Sequence, residues 1–441
     1  MPKTVLSGMQ PSGILHIGNY IGGIVTWKNM IAKNPNYEYY FMIADLHSLT
    51  SLKNGDLLRK NIIDCAICYY ACGIDFMAEN ITLFQQSKNP NHSELAWILQ
   101  TIIPMGWMER MTQFKDKKLT LAEQLTLSSK TNINDPIAID NKIKNTKDGL
   151  FKKIKEIVPK VDIDIFNQEF IVHPKLKPIR LDMIQMTTRI TNQKSGEIFE
   201  KTMKYISDAI LSLTSVCQNG DFKGDDFKSE LDNKINTALL TYPALMAADI
   251  LLYNADFVPV GDDQKQHIEL TRDVAMRFNR EYKCDILKQP QPIITADTRI
   301  MSLTDGTKKM SKSDPSEASR ILLTDSNDEI IKKISRAKTD SIMGIYYDKK
   351  NRPDISNLIQ IFACLSNKSN EYISNECKNL STKQFKDLLA SKIIETISPI
   401  REKIKILKTD SNIEKILQNG IEKSKLKSES CMNKVRSIIG I

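Results

Sequence analysis

Val5-Leu6-Ser7-Gly8-Met9-Gln10-Pro11-Ser12-Gly13-Ile14-Leu15-His16-Ile17-Gly18-Asn19 sets an apolar run against a glycine turn and then a helix start. A strand that feeds a helix N-terminus leaves backbone N–H groups free, and the helix dipole there favours an anion such as phosphate. Gly13 supports the tight turn. Gly18 removes a side chain, so a flat base could lie against the backbone. His16 and Asn19 are three apart and share a face of the first helical turn. Both can donate hydrogen bonds to phosphate oxygens without adding negative charge. The simpler alternative is a capped helix start with a satisfied histidine.

Moving outward, residues 5–9, 37–44 and 81–85 form short apolar runs, with helical stretches at about 19–32 and 57–72 between them. Strand and helix in alternation predict a parallel sheet with crossover helices. Residues 257–260 give a fourth strand, 262–282 an amphipathic helix, and 300–303 a fifth strand. Past Ser313 the pattern is helical. Residues 119–236 break the alternation with polar loops and helical pieces, carrying 18 basic against 17 acidic side chains. The expected fold is α/β: a doubly wound parallel sheet, interrupted by an inserted module, with a helical C-terminal domain. The catalytic domain spans 1–118 and 237–313, the module 119–236 and the helical domain 314–441.

A second run, Lys309-Met310-Ser311-Lys312-Ser313, can also meet phosphate, by different means. Its two ammonium groups sit on a loop that Gly306 lets hinge, after Thr307 and Lys308. A leaving pyrophosphate gains charge in the transition state, so cations there act more strongly at the barrier than in the ground state. A basic surface loop is the alternative. A third run, Val258 to Asp273, leaves a strand, turns at Gly261 and enters a helix through Asp262, Asp263 and Gln264. Strand carboxyl ends are where ligands bind in open α/β sheets. Contacts to a ribose suit this run better than a metal, since no convincing set of further ligands accompanies Asp263 and His267. A fourth run, Thr241 to Tyr253, is apolar with a single carboxylate, Asp249. That carboxylate needs a partner, either a ligand N–H or a protein group. Cys65, Cys68 and Cys72 lie on one helical stripe and are expected to be buried apolar thiols.

The chain of 441 residues, 41% hydrophobic and 26% charged, has the composition of a soluble globular protein of two to three domains. It has no apolar run long enough for a membrane span, no signal-peptide pattern and only 8 cysteines, which fits a reducing cytosol. Net charge is +9, unevenly spread. Residues 331–441 carry 22 basic and 12 acidic side chains, and the other residues 40 and 41. The C-terminal quarter therefore has the footprint of a polyanion-binding surface, or simply a lysine-rich solvated one.

Together these four runs resemble the tryptophanyl-tRNA synthetases, class I aminoacyl-tRNA synthetases of the bacterial type. Pro11 to Asn19 looks like the family's HIGH element, with Asn19 in place of the final histidine, and Lys309 to Ser313 matches its KMSKS element. Asp45-Leu46-His47-Ser48, Glu109 to Lys115 and Pro353-Asp354-Ile355-Ser356-Asn357-Leu358 are similar to further family segments. The resemblance covers 1–118 and 237–441, and implies a Rossmann-like fold. It implies that Gln10, Pro11, Ser12, Gly18 and Asn19 meet ATP, and that Gly261, Asp262, Asp263 and Ile300 line the nucleoside. Lys117, Lys309 and Lys312 would steady the phosphates with Mg²⁺, Met310, Ser311 and Ser313 completing the loop and His16 assisting. Asp249 would accept an indole N–H, with Met246, Leu6 and His47 shaping the pocket, while Gln264 and Tyr242 hold the ammonium group. The implied reaction is ATP-dependent activation of L-tryptophan and transfer to tRNA(Trp), in a cytoplasmic homodimer without a dedicated protein metal site. The basic helical domain would bind the anticodon stem. Tyrosyl-tRNA synthetase shares both phosphate elements, but the Thr241 to Tyr253 run argues against it. A small nucleotidyltransferase would be much shorter. A non-catalytic tRNA-binding relative would have lost the lysines of the second run.

Overall fold

The computed structural model describes residues 2–11, 13–112, 114, 236–261, 264–294, 299–312, 314–409 and 412–441. Ser12, Lys117, Asp262, Asp263, Ser313 and nearly all of the expected module 119–236 lie outside the described residues. The chain divides into two compact units, 1–111 with 238–441 and 112–237. The first unit is built on a parallel sheet.

Five strands form this sheet: β1 (Thr4–Met9), β2 (Glu38–Ile43), β3 (Ile81–Gln85), β4 (Phe257–Val260) and β5 (Gln291–Ile294), in the order β3-β2-β1-β4-β5. The first four are the apolar runs expected from the sequence. The fifth strand is not at 300–303. It is Gln291–Ile294, and Met301 makes only an isolated antiparallel bridge with Lys309. Pro290 and Pro292 hide this strand from a propensity reading. At the sheet edge a proline is tolerated, because one side of its backbone needs no partner. Residues 300–303 are apolar for another reason: Ile300 and Leu303 are buried in the hydrophobic core.

Helix α1 (Val25–Lys33) and α2 (Gly55–Ala71) cross between β1, β2 and β3. The expected single helix over 19–32 is instead a helical turn Ile17–Asn19, a π-turn Tyr20–Ile24 containing Gly22 and Gly23, and then α1. Trp27 of α1 is buried against Phe41 (4.4 Å between centroids) and Tyr69 (5.1 Å), and its indole donates to Ser7 Oγ at 3.0 Å. Cys65, Cys68 and Cys72 of α2 are buried in the same core, and burial pushes their thiols up, to about 12 for Cys65 and about 11 for Cys68. They are packing groups, as the stripe suggested.

After α3 (Asn91–Gln100), chain returning from the other unit forms α4 (Thr237–Leu251), leading into β4, and α5 (Lys265–Glu281), leading towards β5. α5 starts three residues later than expected. The C-terminal segment is helical, with α6 (Asn327–Arg336), α7 (Pro353–Ser366), α8 (Asn370–Cys377), α9 (Thr382–Leu407) and α10 (Asn412–Ile439). It packs within the same compact unit as the sheet. Among the described residues no helix is long and apolar enough to cross a membrane.

Candidate functional site

The strand order reverses between β1 and β4, so the crevice outside their carboxyl ends is the topological switch point of the sheet. Both nucleotide-type runs leave from there. Gln10 and Pro11 follow β1 directly, and Gly261 and Gln264 follow β4.

Gly13 has φ +95°, a left-handed conformation that a side chain would strain, and this makes the turn. His16 then caps the helical turn. Its Nδ1 accepts from Asn19 N–H (3.2 Å), and Asn19 Oδ1 accepts from His16 N–H (3.2 Å). The cap and the phosphate reading are therefore compatible. Nδ1 is used as an acceptor, so the proton of the neutral ring is on Nε2, and the donor end of Asn19 is its Nδ2. A Cβ at Gly18 would lie 3.0 Å from the His16 ring and 3.5 Å from Ile300 Cβ. A side chain at Gly18 would therefore crowd the imidazole as well as any base that lay there.

The second run meets the first although residues 20–308 separate them. Lys312 Nζ donates to Gly13 O at 2.8 Å. His16 pairs with Leu322 in an antiparallel bridge, with Ile17 N–H donating to Ile321 O (2.8 Å) and Leu323 N–H to Leu15 O (2.9 Å). Met310 is buried and anchors the loop, Ser311 is half-buried and Lys309 is exposed. Burial, and then the charges of Lys312, Arg320 and Lys309, lower the His16 pKa to about 3. The ring is neutral at every physiological pH.

That depression has a stability consequence. The unfolded chain binds a proton at this histidine near pH 6.5 and the folded chain does not, so stability falls as pH drops below 6.5. Between pH 6.5 and 4.5 the loss from this one group is at most about 2–3 kcal/mol. Urea unfolding at pH 7.5 and 5 is expected to show a smaller acid loss for His16→Gln than for the parent chain. Equal losses would mean His16 is not held neutral.

The third cluster surrounds Asp249 on α4, 2% exposed. Tyr242, Met246 and Asp249 share one face of that helix at i, i+4 and i+7. The carboxylate has protein partners that the sequence reading left open. Oδ1 accepts from Gln86 Nε2 (2.7 Å) and pairs with His92 Nδ1 (2.7 Å), and Oδ2 pairs with His47 Nε2 (2.8 Å). Burial would raise its pKa, but the hydrogen bonds and charges of His47 and His92 hold it down to about 2. Among the described residues three of about four acceptor sites are filled, and one on Oδ2 is unmet. His92 Nε2 in turn meets Tyr253 OH at 3.0 Å. Leu6 is buried on β1, Tyr242 OH meets His267 Nε2 at 2.7 Å, and the rings of His47 and Tyr242 stand edge to face at 6.3 Å. Gln86, His92 and Tyr253 escaped the sequence reading. The available signal was the polar run Asn89-Pro90-Asn91-His92 just past the carboxyl end of β3.

The model of the family "tRNA synthetases class I (W and Y)" matches residues 1–134 and 188–398, leaving out 135–187 within the expected module. A tryptophan--tRNA ligase of Rickettsia felis is 36% identical over 442 residues, covering 100% of this chain and 99% of that one. That of Thermosynechococcus vestitus is 35% identical over 441 residues, covering 99% of each. Among solved structures, tryptophanyl-tRNA synthetase from Mycoplasma pneumoniae superposes with a TM-score of 0.67 at 27% identity, over 100% of this chain and 98% of that one. The enzyme from Campylobacter jejuni complexed with ADP and tryptophan shares the fold, with a TM-score of 0.61 at 24% identity over 99% and 100% of the two chains.

Proposed function

The chain belongs to the class I tRNA synthetases (W and Y), and from that premise we propose how its residues carry the work of a tryptophan--tRNA ligase. A tryptophan carboxylate oxygen attacks the α-phosphorus of ATP, pyrophosphate leaves, and tryptophanyl-adenylate forms. A terminal hydroxyl of tRNA(Trp) then displaces AMP. No protein nucleophile is needed, because positioning and phosphate electrostatics supply the acceleration.

ATP lies across the switch point. Gln10, Pro11, Ser12, Gly18 and Asn19 meet it from the β1 side, and Gly261, Asp262, Asp263 and Ile300 from the β4 side. His16 offers Nε2–H to a phosphate oxygen. Lys309, Lys312 and Lys117 follow the charge onto pyrophosphate, with Met310, Ser311 and Ser313 shaping their loop. Lys312 exchanges its bond to Gly13 O for one to phosphate as ATP enters. Mg²⁺ prefers oxygen ligands and partial hydration. The donors at the described phosphate end are cationic or neutral, which fits a Mg²⁺ carried on the phosphates of ATP, where it neutralises charge. Asp249 Oδ2 accepts the indole N–H, Met246, Leu6 and His47 close around the ring, and Tyr242 and Gln264 hold the ammonium group. In sequence, residues 119–236 interrupt the catalytic domain (1–118 and 237–313), which breaks off after Lys117 and resumes before Thr241. The basic helices of 314–441 bind the anticodon stem, and the enzyme works as a cytoplasmic homodimer.

The observation that carries this reading is the meeting of the two phosphate runs, Lys312 Nζ on Gly13 O at 2.8 Å, beside the switch point. ATP–pyrophosphate exchange with Mg²⁺ tests it. Exchange is expected with tryptophan and not with tyrosine. Exchange with tyrosine alone would reassign the amino acid, and exchange with neither, in folded protein with tRNA added, would remove the activity.

A further inference from the structure

Residues 300–310 form a short hairpin that delivers Lys309 and Lys312 to the site. Met310 N–H donates to Ile300 O (3.1 Å), Ser302 N–H to Lys308 O (2.7 Å), and Met301 pairs with Lys309. One arm faces the nucleotide loop, where Ile300 stands opposite Gly18. The first two turns of α7 hold this hairpin at two points.

At the arm, the buried Asn357 side chain takes the place of a neighbouring strand. Its Oδ1 accepts from Met301 N–H (2.8 Å) and its Nδ2 donates to Met301 O (2.9 Å). At the tip, Asp354 Oδ1 accepts from Gly306 N–H at 2.7 Å, and Asp354 Oδ2 pairs with Lys338 Nζ at 3.2 Å. Lys338 N–H also donates to Leu303 O at 2.8 Å. The tip fits only without a side chain: a Cβ on Gly306 would lie 2.6 Å from Pro353 C and 2.7 Å from Asp354 Cα. Gly306, a hinge in the sequence reading, is a docking point.

We infer that Asn357 and Asp354 are positioning residues for adenylate formation: by pinning the arm and tip of this hairpin to α7 they set where Ile300, Lys309 and Lys312 meet the nucleotide. Neither touches the substrate. The geometry is specific, because Asn357 satisfies both backbone groups of a single half-buried residue, and without it both would lose that partner. Misplacing reacting groups by about 1 Å can cost about 10²-fold in rate. The inference rests on the reading of Lys309 and Lys312 as phosphate-binding groups.

The test is steady-state ATP–pyrophosphate exchange on the full chain, with tryptophan binding followed separately by equilibrium dialysis. Asn357→Ala is expected to lower kcat about 10–100-fold and to raise the KM for ATP, with tryptophan affinity unchanged within about twofold. Asp354→Ala, at a partly exposed position, should do the same to about tenfold, and it decides the matter if Asn357→Ala does not fold. Tryptophan affinity falling in parallel with the ATP parameters would mean general loosening and would overturn the inference, as would unchanged kinetics. Lys312→Ala separates the two levels. If it leaves exchange intact, the phosphate reading itself fails, and the inference with it. If it abolishes exchange while both clamp variants are normal, only the clamp fails.

Discussion

Asp249→Asn is expected to lower kcat/KM for tryptophan in ATP–pyrophosphate exchange by about 10³-fold, or about 4 kcal/mol of transition-state binding. Among the described residues the carboxylate meets donors only: Gln86 Nε2 and His92 Nδ1 at Oδ1, and His47 Nε2 at Oδ2. An asparagine keeps the shape but must place an NH₂ at one of those two positions. At the Oδ1 position the NH₂ faces two donors. At the Oδ2 position it turns a donor towards the arriving indole N–H, so the acceptor that tryptophan needs is gone. Either choice leaves buried donors unpaired, and that is more costly than a lost hydrogen bond alone. Circular dichroism and tryptophan-independent ATP binding control for folding. A loss below about tenfold in folded protein would take the indole away from Asp249. The ring of protein partners also refines how the site excludes other side chains. A ligand without an N–H leaves one lone-pair direction of Oδ2 unmet, rather than a bare carboxylate.

Asp249 shows how far the sequence could carry such a site. A lone carboxylate among Ala247, Ala248, Ile250 and Leu251 signals that a partner exists, but Gln86 and His92 come from beyond a different strand and no spacing rule connects them. The proposed phosphate end left more signal in the sequence, because backbone N–H groups and lysines would act there from short contiguous runs. Even so, the runs do not disclose that Lys312 reaches Gly13, since that contact depends on the pairing of 15–17 with 321–323. Four strands were plain from apolar runs bounded by polar turns. The fifth was lost because proline masks an edge strand, and because the hairpin at 300–310 imitates a strand in its burial alone. Asn357 was visible as part of a family-like segment but carried no role. A buried side-chain amide that replaces a strand partner has no sequence pattern of its own.

Gly420→Ala is expected to destabilise the chain by about 3 kcal/mol, where helix propensity alone predicts a gain of about 1 kcal/mol. Gly420 lies inside α10, and its backbone runs directly over β3. A Cβ there would sit 1.7 Å from Leu83 O and 2.7 Å from Leu83 C. No rotamer relieves this, because both partners are backbone, so the helix must lift or β3 must distort. α10 is tied down beyond that point, which limits its freedom to lift. Lys427 Nζ bonds Glu38 at 2.6 Å, Ser428 Oγ accepts from Asn89 and Asn91 at 2.9 Å, and Arg436 pairs with Glu94 at 2.6 Å. The midpoint of thermal unfolding should therefore fall by about 3–5 °C. A small rise would show that the close approach relaxes at no cost and that propensity decides. A displaced α10 has a second consequence at the site. Asn89 bonds both Ser428 and the Tyr253 hydroxyl, and Tyr253 meets His92, which holds Asp249. The folded fraction of the variant is thus expected to bind tryptophan more weakly, by about threefold to tenfold for a partial loss of one such hydrogen bond. Unchanged affinity beside a lowered midpoint would confine the effect of Gly420 to packing.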